Sequence, residues 1–253
     1  MTRTVGPYFA PPAPRVFAHR GLATGALENS IEAFAAALRA GAGYLETDAH
    51  ATADGIAVLV HDPGLRRIAS LDLEVASLTL AQLREIGPVG GQICTLIDAL
   101  RTFPSARFNI DVKSAPAADA VARAVLEADA VDRVLVASFS RRRRTRTLTR
   151  VGDAAASASA AEVLPALLAA RIGLIPLVRL ILRRVDAVQI PQRIRRFRIV
   201  TPRTVRAFHA AGVEVHVWTV NDPEDMRRLL DAGVDGIVTD RCDVLAEEVR
   251  RRS

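Results

Sequence analysis

Eight short apolar runs, each followed by a helical pattern, commit this chain to a parallel α/β architecture. They are Val16–Ala18, Tyr44–Asp48, Arg107–Val112, Arg133–Ser138, Ala154–Ser157, Ala187–Ile190, Val213–Thr219 and Gly236–Thr239. Ala154–Ser157 is the weakest, because small residues carry little strand propensity. Helices are expected at Ser30–Ala40, Ala117–Glu127, from Arg141–Arg144 onward, over Val163–Arg184 as one or two, at Thr201–Ala211, from Asp222-Pro223 to Ala232, and at Cys242–Arg251. Asn29 with Glu32 three residues on resembles a capping box, and Gly41 suits a C-cap. An extra segment separates strands two and three: the apolar run Ile56–Val60, an irregular Pro63–Val75, and short helices at Leu80–Ile86 and Leu96–Thr102. Eight strands with intervening helices fit a closed (β/α)8 TIM barrel better than an open doubly wound sheet. No Gly-x-Gly-x-x-Gly follows a strand, which also weighs against a dinucleotide fold.

The 253 residues match one such barrel, expected as a single domain over 15–253 behind a Pro-rich extended arm, 1–14. The arm lacks the apolar centre of a secretory signal. No uninterrupted apolar run reaches the roughly 18–20 residues that span a bilayer. Val163–Leu182 comes nearest, broken by Arg171, Arg179 and two prolines. A cytoplasmic protein without a transmembrane segment is expected. The preferred reading of Val163–Leu182 is an outer helix packed on the sheet. Its arginine neighbours, Arg183 and Arg184 included, leave an interfacial helix and peripheral membrane contact as the alternative. The net charge of +6 would attract anionic small molecules and membrane surfaces modestly. Nucleic acid is not an expected partner, because Arg141–Arg144 spread around a helix with no interleaved aromatics. That run reads as a solvated helix start. Cys94 and Cys242 have no metal-ligand spacing and read as reduced thiols.

Chemistry-bearing residues collect where strands end. His19, Glu46, Asp48, His61, Asp111, Lys113, Trp218 and Asp240 all fall there, and in TIM barrels the C-terminal strand ends carry the reacting groups. Glu46 and Asp48 are two apart on one strand and so point to the same side. Adjacent carboxylates repel unless a cation lies between them, and hard oxygen donors suit Mg²⁺ or Ca²⁺. Glu214, His216 and Trp218 share another strand face. His216, deeper along it, reads as a satisfied core histidine. His50 shares the parity of Glu46 and Asp48 and reads as a supporting residue, while His209 reads as surface.

Four motifs in order carry a resemblance: His19-Arg20-Gly21, Glu28-Asn29-Ser30, Glu46-Thr47-Asp48 and His61-Asp62. Together they resemble the glycerophosphodiester phosphodiesterase family, and the likeness extends to Asp240. The resemblance implies a (β/α)8 barrel that hydrolyses glycerophosphodiesters to an alcohol and glycerol 3-phosphate with a divalent metal. It implies His19 and His61 as the acid–base pair, since imidazole both takes and gives protons near neutral pH. It assigns Glu46, Asp48 and Asp111 to the metal, and Arg20 and Lys113 to the phosphate. Trp218, in a Trp218-Thr219-x-Asn221 segment, would border the glycerol pocket. Attack by the substrate's own glycerol hydroxyl, through a cyclic phosphate, is compatible with it. Glu28 and Asn29 are expected to organise the loop. The chain departs from the family pattern in three places: Asp111 stands where glutamate is usual, Gly64–Arg67 replaces a Thr-Leu-Asp-Arg-like turn, and Cys94 replaces a common proline. A lysophospholipase D-type enzyme and a non-catalytic barrel for phosphate or anionic lipid are the alternatives.

Overall fold

The computed structural model describes residues 6–194 and 197–252. Eight parallel strands form the barrel: β1 (Arg15–His19), β2 (Tyr44–Ala51), β3 (Arg107–Val112), β4 (Val134–Ala137), β5 (Ala155–Ala156), β6 (Ala187–Pro191), β7 (Glu214–Trp218) and β8 (Gly236–Thr239). Hydrogen bonding runs β5-β4-β3-β2-β1-β8-β7-β6. A single parallel bridge, Ser157 to Ala187, closes the ring between β5 and β6. The outer helices include α1 (Ile31–Ala40), α2 (Ala115–Glu127), α3 (Arg141–Val151), α4 (Ala160–Ile172), α5 (Ile175–Leu182), α6 (Pro202–Ala210), α7 (Pro223–Asp231) and α8 (Cys242–Arg250).

Strand alternation separates two cores. Leu45, Ala49, Phe108, Ile110, Val215 and Val217 point outward into the layer shared with the helices. Phe17, Tyr44, Leu135, Ala187 and Val238 point inward and fill the lumen with Tyr8 and Phe9. Gly236 admits the Phe17 ring, which a Cβ there would meet at 2.6 Å. The segment expected as an extended arm carries a 3-10 turn at Pro7–Phe9, which buries both aromatics against the lower end of the barrel. Arg15 binds them there. Its guanidinium donates to both Glu214 oxygens at 2.8 and 2.6 Å, to Tyr44 Oη at 2.8 Å, and to the carbonyls of Pro11 and Phe9.

The structure changes the reading of Asn29 and Arg144 and adds detail at Ile56–Val60. The N-cap of α1 is Ser30, whose Oγ accepts from Ala33 N; Asn29 sits at φ +58° and turns its amide toward β2 instead. The run Ile56–Val60 contributes Ala57–Leu59, which folds back antiparallel on the end of β2. Arg144 is not solvated: it is 3% exposed and grips Glu162 with two hydrogen bonds, at 2.6 and 3.0 Å. Four successive helical positions face every direction, so one of them must turn inward, and there α4 supplies a buried carboxylate. Cys94 and Cys242 are free and buried. Among the described residues no helix is long and apolar enough to cross a membrane.

Candidate active site

Register alone assembles the carboxyl end of the barrel. His19 pairs with Glu46 across β1–β2, while Glu46 pairs with Asn109 and Asp48 with Asp111 across β2–β3. Residues in register point the same way, so two adjacent rows of polar side chains face the lumen at its mouth. The chain then leaves β1 abruptly. Arg20 has φ +57°, and Gly21 at φ +86° passes so near α1 that a Cβ would lie 2.7 Å from the Ala33 carbonyl carbon. That tight exit folds Arg20 back over β2: its N–H donates to the Glu46 carbonyl and to Glu46 Oε2, at 3.0 and 3.1 Å.

The two histidines are each held by a carboxylate. His19 Nδ1 lies 2.6 Å from Asp240 Oδ1, and Asn221 donates to the other oxygen at 2.7 Å. His61 Nδ1 lies 2.7 Å from Asp62 Oδ1, which Arg67 supports through the second oxygen. A carboxylate only accepts, so both rings carry the proton on Nδ1 and leave Nε2 for other work. Burial alone would lower the His19 pKa, but the Asp240 hydrogen bond and the charge of Glu46, 4.0 Å from Nε2, raise it above the ordinary value.

Between the histidines lies a carboxylate cluster with unequal partners. Asp48 is well compensated: Lys113 Nζ stands 2.8 Å from Oδ1, Arg20 Nε 3.0 Å from Oδ2 in an ion pair off hydrogen-bond angle, and Asn29 Nδ2 3.3 Å away. Burial pushes its pKa up, and these cations outweigh that to bring it below the usual range. Lys113 also reaches Asp111 Oδ2 at 2.7 Å, whereas Asp111 Oδ1 is buried with no hydrogen-bond partner. Glu46, 7% exposed, fares worst: burial and the neighbouring Asp48 charge raise its pKa from 4.5 to about 8. Among the described residues no three His, Cys, Asp or Glu side chains form a ready metal cluster.

Both histidines and the carboxylate cluster open on one cavity of about 370 Å³. His19, Arg20, Glu46, Asp48, His61, Asp111 and Lys113 line one wall. Trp218, stacked edge-on with Phe139 at 6.1 Å, lines the other with Val163, Leu164 and Leu167. The residues assigned to proton transfer, cation and substrate therefore all reach the same cavity, while Asp240 lies behind His19. Asp62, Asp240 and Asn221, which hold the histidines, had no role assigned from the sequence, although Asp62 adjoins His61 and Asn221 belongs to the Trp218 segment. Phe139 gave no signal, being one exposed aromatic after a strand. His50 touches the His61 carbonyl at 3.3 Å, His216 is fully buried against Glu214, and His209 pairs with Asp235 on the outside. The Gly64–Arg67 departure places Arg67 on Asp62 and Glu28, both at 2.5 Å, and the Cys94 thiol contacts the Asn29 carbonyl.

Comparison with known proteins agrees with the barrel fold. The sequence pattern described as the glycerophosphoryl diester phosphodiesterase family matches residues 19–244. The chain is 42% identical over 233 residues to a Mycobacterium tuberculosis protein named probable glycerophosphodiester phosphodiesterase 2, with 91% of this chain and 88% of that one covered. The crystal structure of the Thermotoga maritima glycerophosphodiester phosphodiesterase is similar at a TM-score of 0.74 and 25% identity, covering 93% of this chain and 98% of that one. An Oleispira antarctica phosphodiesterase, in complex with the product sn-glycerol-3-phosphate, shares the fold at a TM-score of 0.73 and 22% identity, covering 94% and 97%. A barrel with two carboxylate-held histidines at its mouth, matched along nearly its whole length, thus belongs to the glycerophosphoryl diester phosphodiesterase family.

Proposed function

We propose that this enzyme hydrolyses glycerophosphodiesters to an alcohol and glycerol 3-phosphate, with His19 and His61 moving the protons and a divalent cation, Mg²⁺ or Ca²⁺, assisting. The observation that carries this reading is the meeting of two histidine–aspartate pairs in one cavity above a carboxylate cluster. Phosphodiester cleavage takes a proton from the attacking oxygen and gives one to the leaving oxygen. With Nδ1–H committed to Asp240 or Asp62, each Nε2 accepts a proton when the ring is neutral and donates one when it is charged. The aspartates hold the rings at a fixed angle and stabilise the imidazolium that forms. Simple phosphate binding would need neither pair.

Glu46, Asp48 and Asp111 would hold the cation. Their chemistry fits: Glu46 is a buried carboxylate whose charge is poorly compensated, and the buried Asp111 Oδ1 lacks a hydrogen-bond partner. When bound, the cation supplies positive charge to a nonbridging phosphate oxygen and acidifies the attacking hydroxyl. Lys113 and Arg20 add fixed positive charge beside it, one as a point charge and one as a planar fork. The Trp218 indole closes the glycerol side of the cavity and limits water there.

One feature favours a second reading, in which a single-chain lysophospholipid loses its headgroup alcohol. The wall formed by Phe139, Val163, Leu164 and Leu167 is apolar and opens outward. The test is release of alcohol from glycerophosphocholine, glycerophosphoethanolamine, glycerophosphoinositol and a lysophospholipid, in chelator and with Mg²⁺ or Ca²⁺ restored. Turnover of the water-soluble diesters only with a cation is expected. Full activity after exhaustive metal removal would defeat the role of the cation, and no turnover with either cation would defeat the enzyme reading itself.

A further inference from the structure

The outer surface of α4 and α5 is built unlike the rest of the barrel. Ten large apolar side chains stand exposed among the described residues, and six of them are Leu164, Leu168, Ile172, Leu174, Leu177 and Leu180. A seventh, Phe139, stands beside Leu164 on the cavity wall. Leu164, Leu168 and Ile172 repeat every four residues and so form one stripe along α4, with Ile172 67% exposed. The opposite face of α4, Ala166, Leu167, Ala169 and Ala170, is buried. Packing on the sheet therefore leaves this second apolar face unexplained. A patch of this extent, starting at the mouth of a cavity, marks an interaction surface.

Charge decides the occupant. Residues 163–184 contain no acidic side chain and four arginines, Arg171, Arg179, Arg183 and Arg184, all exposed around the stripe. A two-fold contact with a second copy would bring these arginines toward their own mates. An anionic lipid headgroup layer would pair with Arg171, Arg183 and Arg184, Arg179 being held by the Ala210 carbonyl, while the leucines enter the acyl boundary. We propose that α4 and α5 form a membrane-docking face for anionic bilayers, which sets the cavity mouth at the lipid surface. Docking requires no turnover, so it stands or falls apart from the catalytic reading.

The experiment is co-sedimentation of the full chain with large vesicles of phosphatidylcholine containing phosphatidylglycerol, against vesicles of phosphatidylcholine alone. Binding to the anionic vesicles is expected, weakened but not abolished by salt. Leu168→Glu with Ile172→Glu should reduce partitioning at least about tenfold, since two exposed leucine-sized groups leave the acyl boundary. Arg183→Glu with Arg184→Glu, a second variant at exposed positions, should remove the preference for anionic lipid. Thermal melting followed by circular dichroism reports that both variants remain folded. Failure of the wild type to sediment, or equal sedimentation of wild type and both variants, would overturn the proposal. A concentration-dependent dimer lost in the Leu168/Ile172 variant, without vesicle binding, would overturn it in favour of self-association.

Discussion

The two ends of this barrel treat buried charge in opposite ways. At the lower end Arg15 and Glu214 face each other in the lumen, and the guanidinium finds oxygens from Glu214, Tyr44, Pro11 and Phe9. At the upper end three carboxylates crowd together with Lys113 and Arg20, and Glu46 and one oxygen of Asp111 are left without adequate compensation. The first arrangement is complete within the chain and serves stability. The second leaves charge without a partner inside the chain, which is where a functional site is expected. The same strands carry both, so the difference lies in which partners the loops and the N-terminal turn provide.

The contrast can be broken by substitution. The largest expected effect is on rate at the upper end: His61→Ala should lower turnover between about a hundredfold and ten-thousandfold, with the urea midpoint nearly unchanged. An equal collapse in stability would make the upper end structural too. At the lower end the reverse holds. Arg15→Ala leaves the partly exposed Glu214 with His216 and the Tyr44 hydroxyl with the Tyr8 carbonyl as remaining partners, and should cost about 1–3 kcal/mol in unfolding free energy. Turnover per folded molecule should remain near that of the wild type, measured well below the melting transition.

Acid and base sharpen the comparison further, because the ends titrate with opposite signs. Burial opposes the Glu214 charge, yet the Arg15 hydrogen bonds bring its pKa down to about 2. Its stabilisation is therefore present above about 4.5 and fades as pH falls toward 2. The Glu46 pKa is raised to about 8, so its contribution is present below 4.5 and fades as pH rises through 8. Melting of the chelated protein across this range should lose its acid arm in Glu214→Gln and its alkaline fall in Glu46→Gln. Parallel curves for the two variants would erase the distinction.

The smallest expected effect is at Asp111. Asp111→Asn keeps the shape and removes charge, so apparent cation affinity should fall by at least the roughly tenfold typical of groups one step removed from a metal. Excess cation should restore part of the rate, and a titration of activity against Mg²⁺ or Ca²⁺ reads this directly. Metal cannot replace a proton-transfer group, so His61→Ala should show no such rescue. Normal metal dependence in Asp111→Asn would remove Asp111 from the site.

How much of this was legible in the sequence follows from distance along the chain. The barrel and its mouth were legible because alternation and helical period are local, and Glu46 two residues from Asp48 needs no fold to be seen. The partners of the histidines were harder. Asp240 lies 221 residues from His19, and only ring closure between β1 and β8 brings them together. The turn at Pro7–Phe9 looks like any Pro-rich leader until Arg15 is seen to face inward. Arg144 hid in a run of four arginines, since composition cannot tell which of four helical directions meets Glu162. Asn29 misled for a physical reason: asparagine both caps helices and tolerates the left-handed conformation, and here it does the latter.

The thin junction between β5 and β6 has a kinetic consequence. Two residues of strand, one bridge and a few backbone hydrogen bonds, such as Ala158 N–H to the Ala187 carbonyl at 2.8 Å, hold the ring shut there. The β2–β3 side is joined over six register pairs. Within the barrel, amide hydrogens should therefore exchange soonest at Ser157–Ala158 and latest along β2 and β3, because local opening follows the weakest pairing. Ser157, Ala158 and Gln189 line the cavity, so the weakest seam of the ring lies in its wall, across from the carboxylate rows.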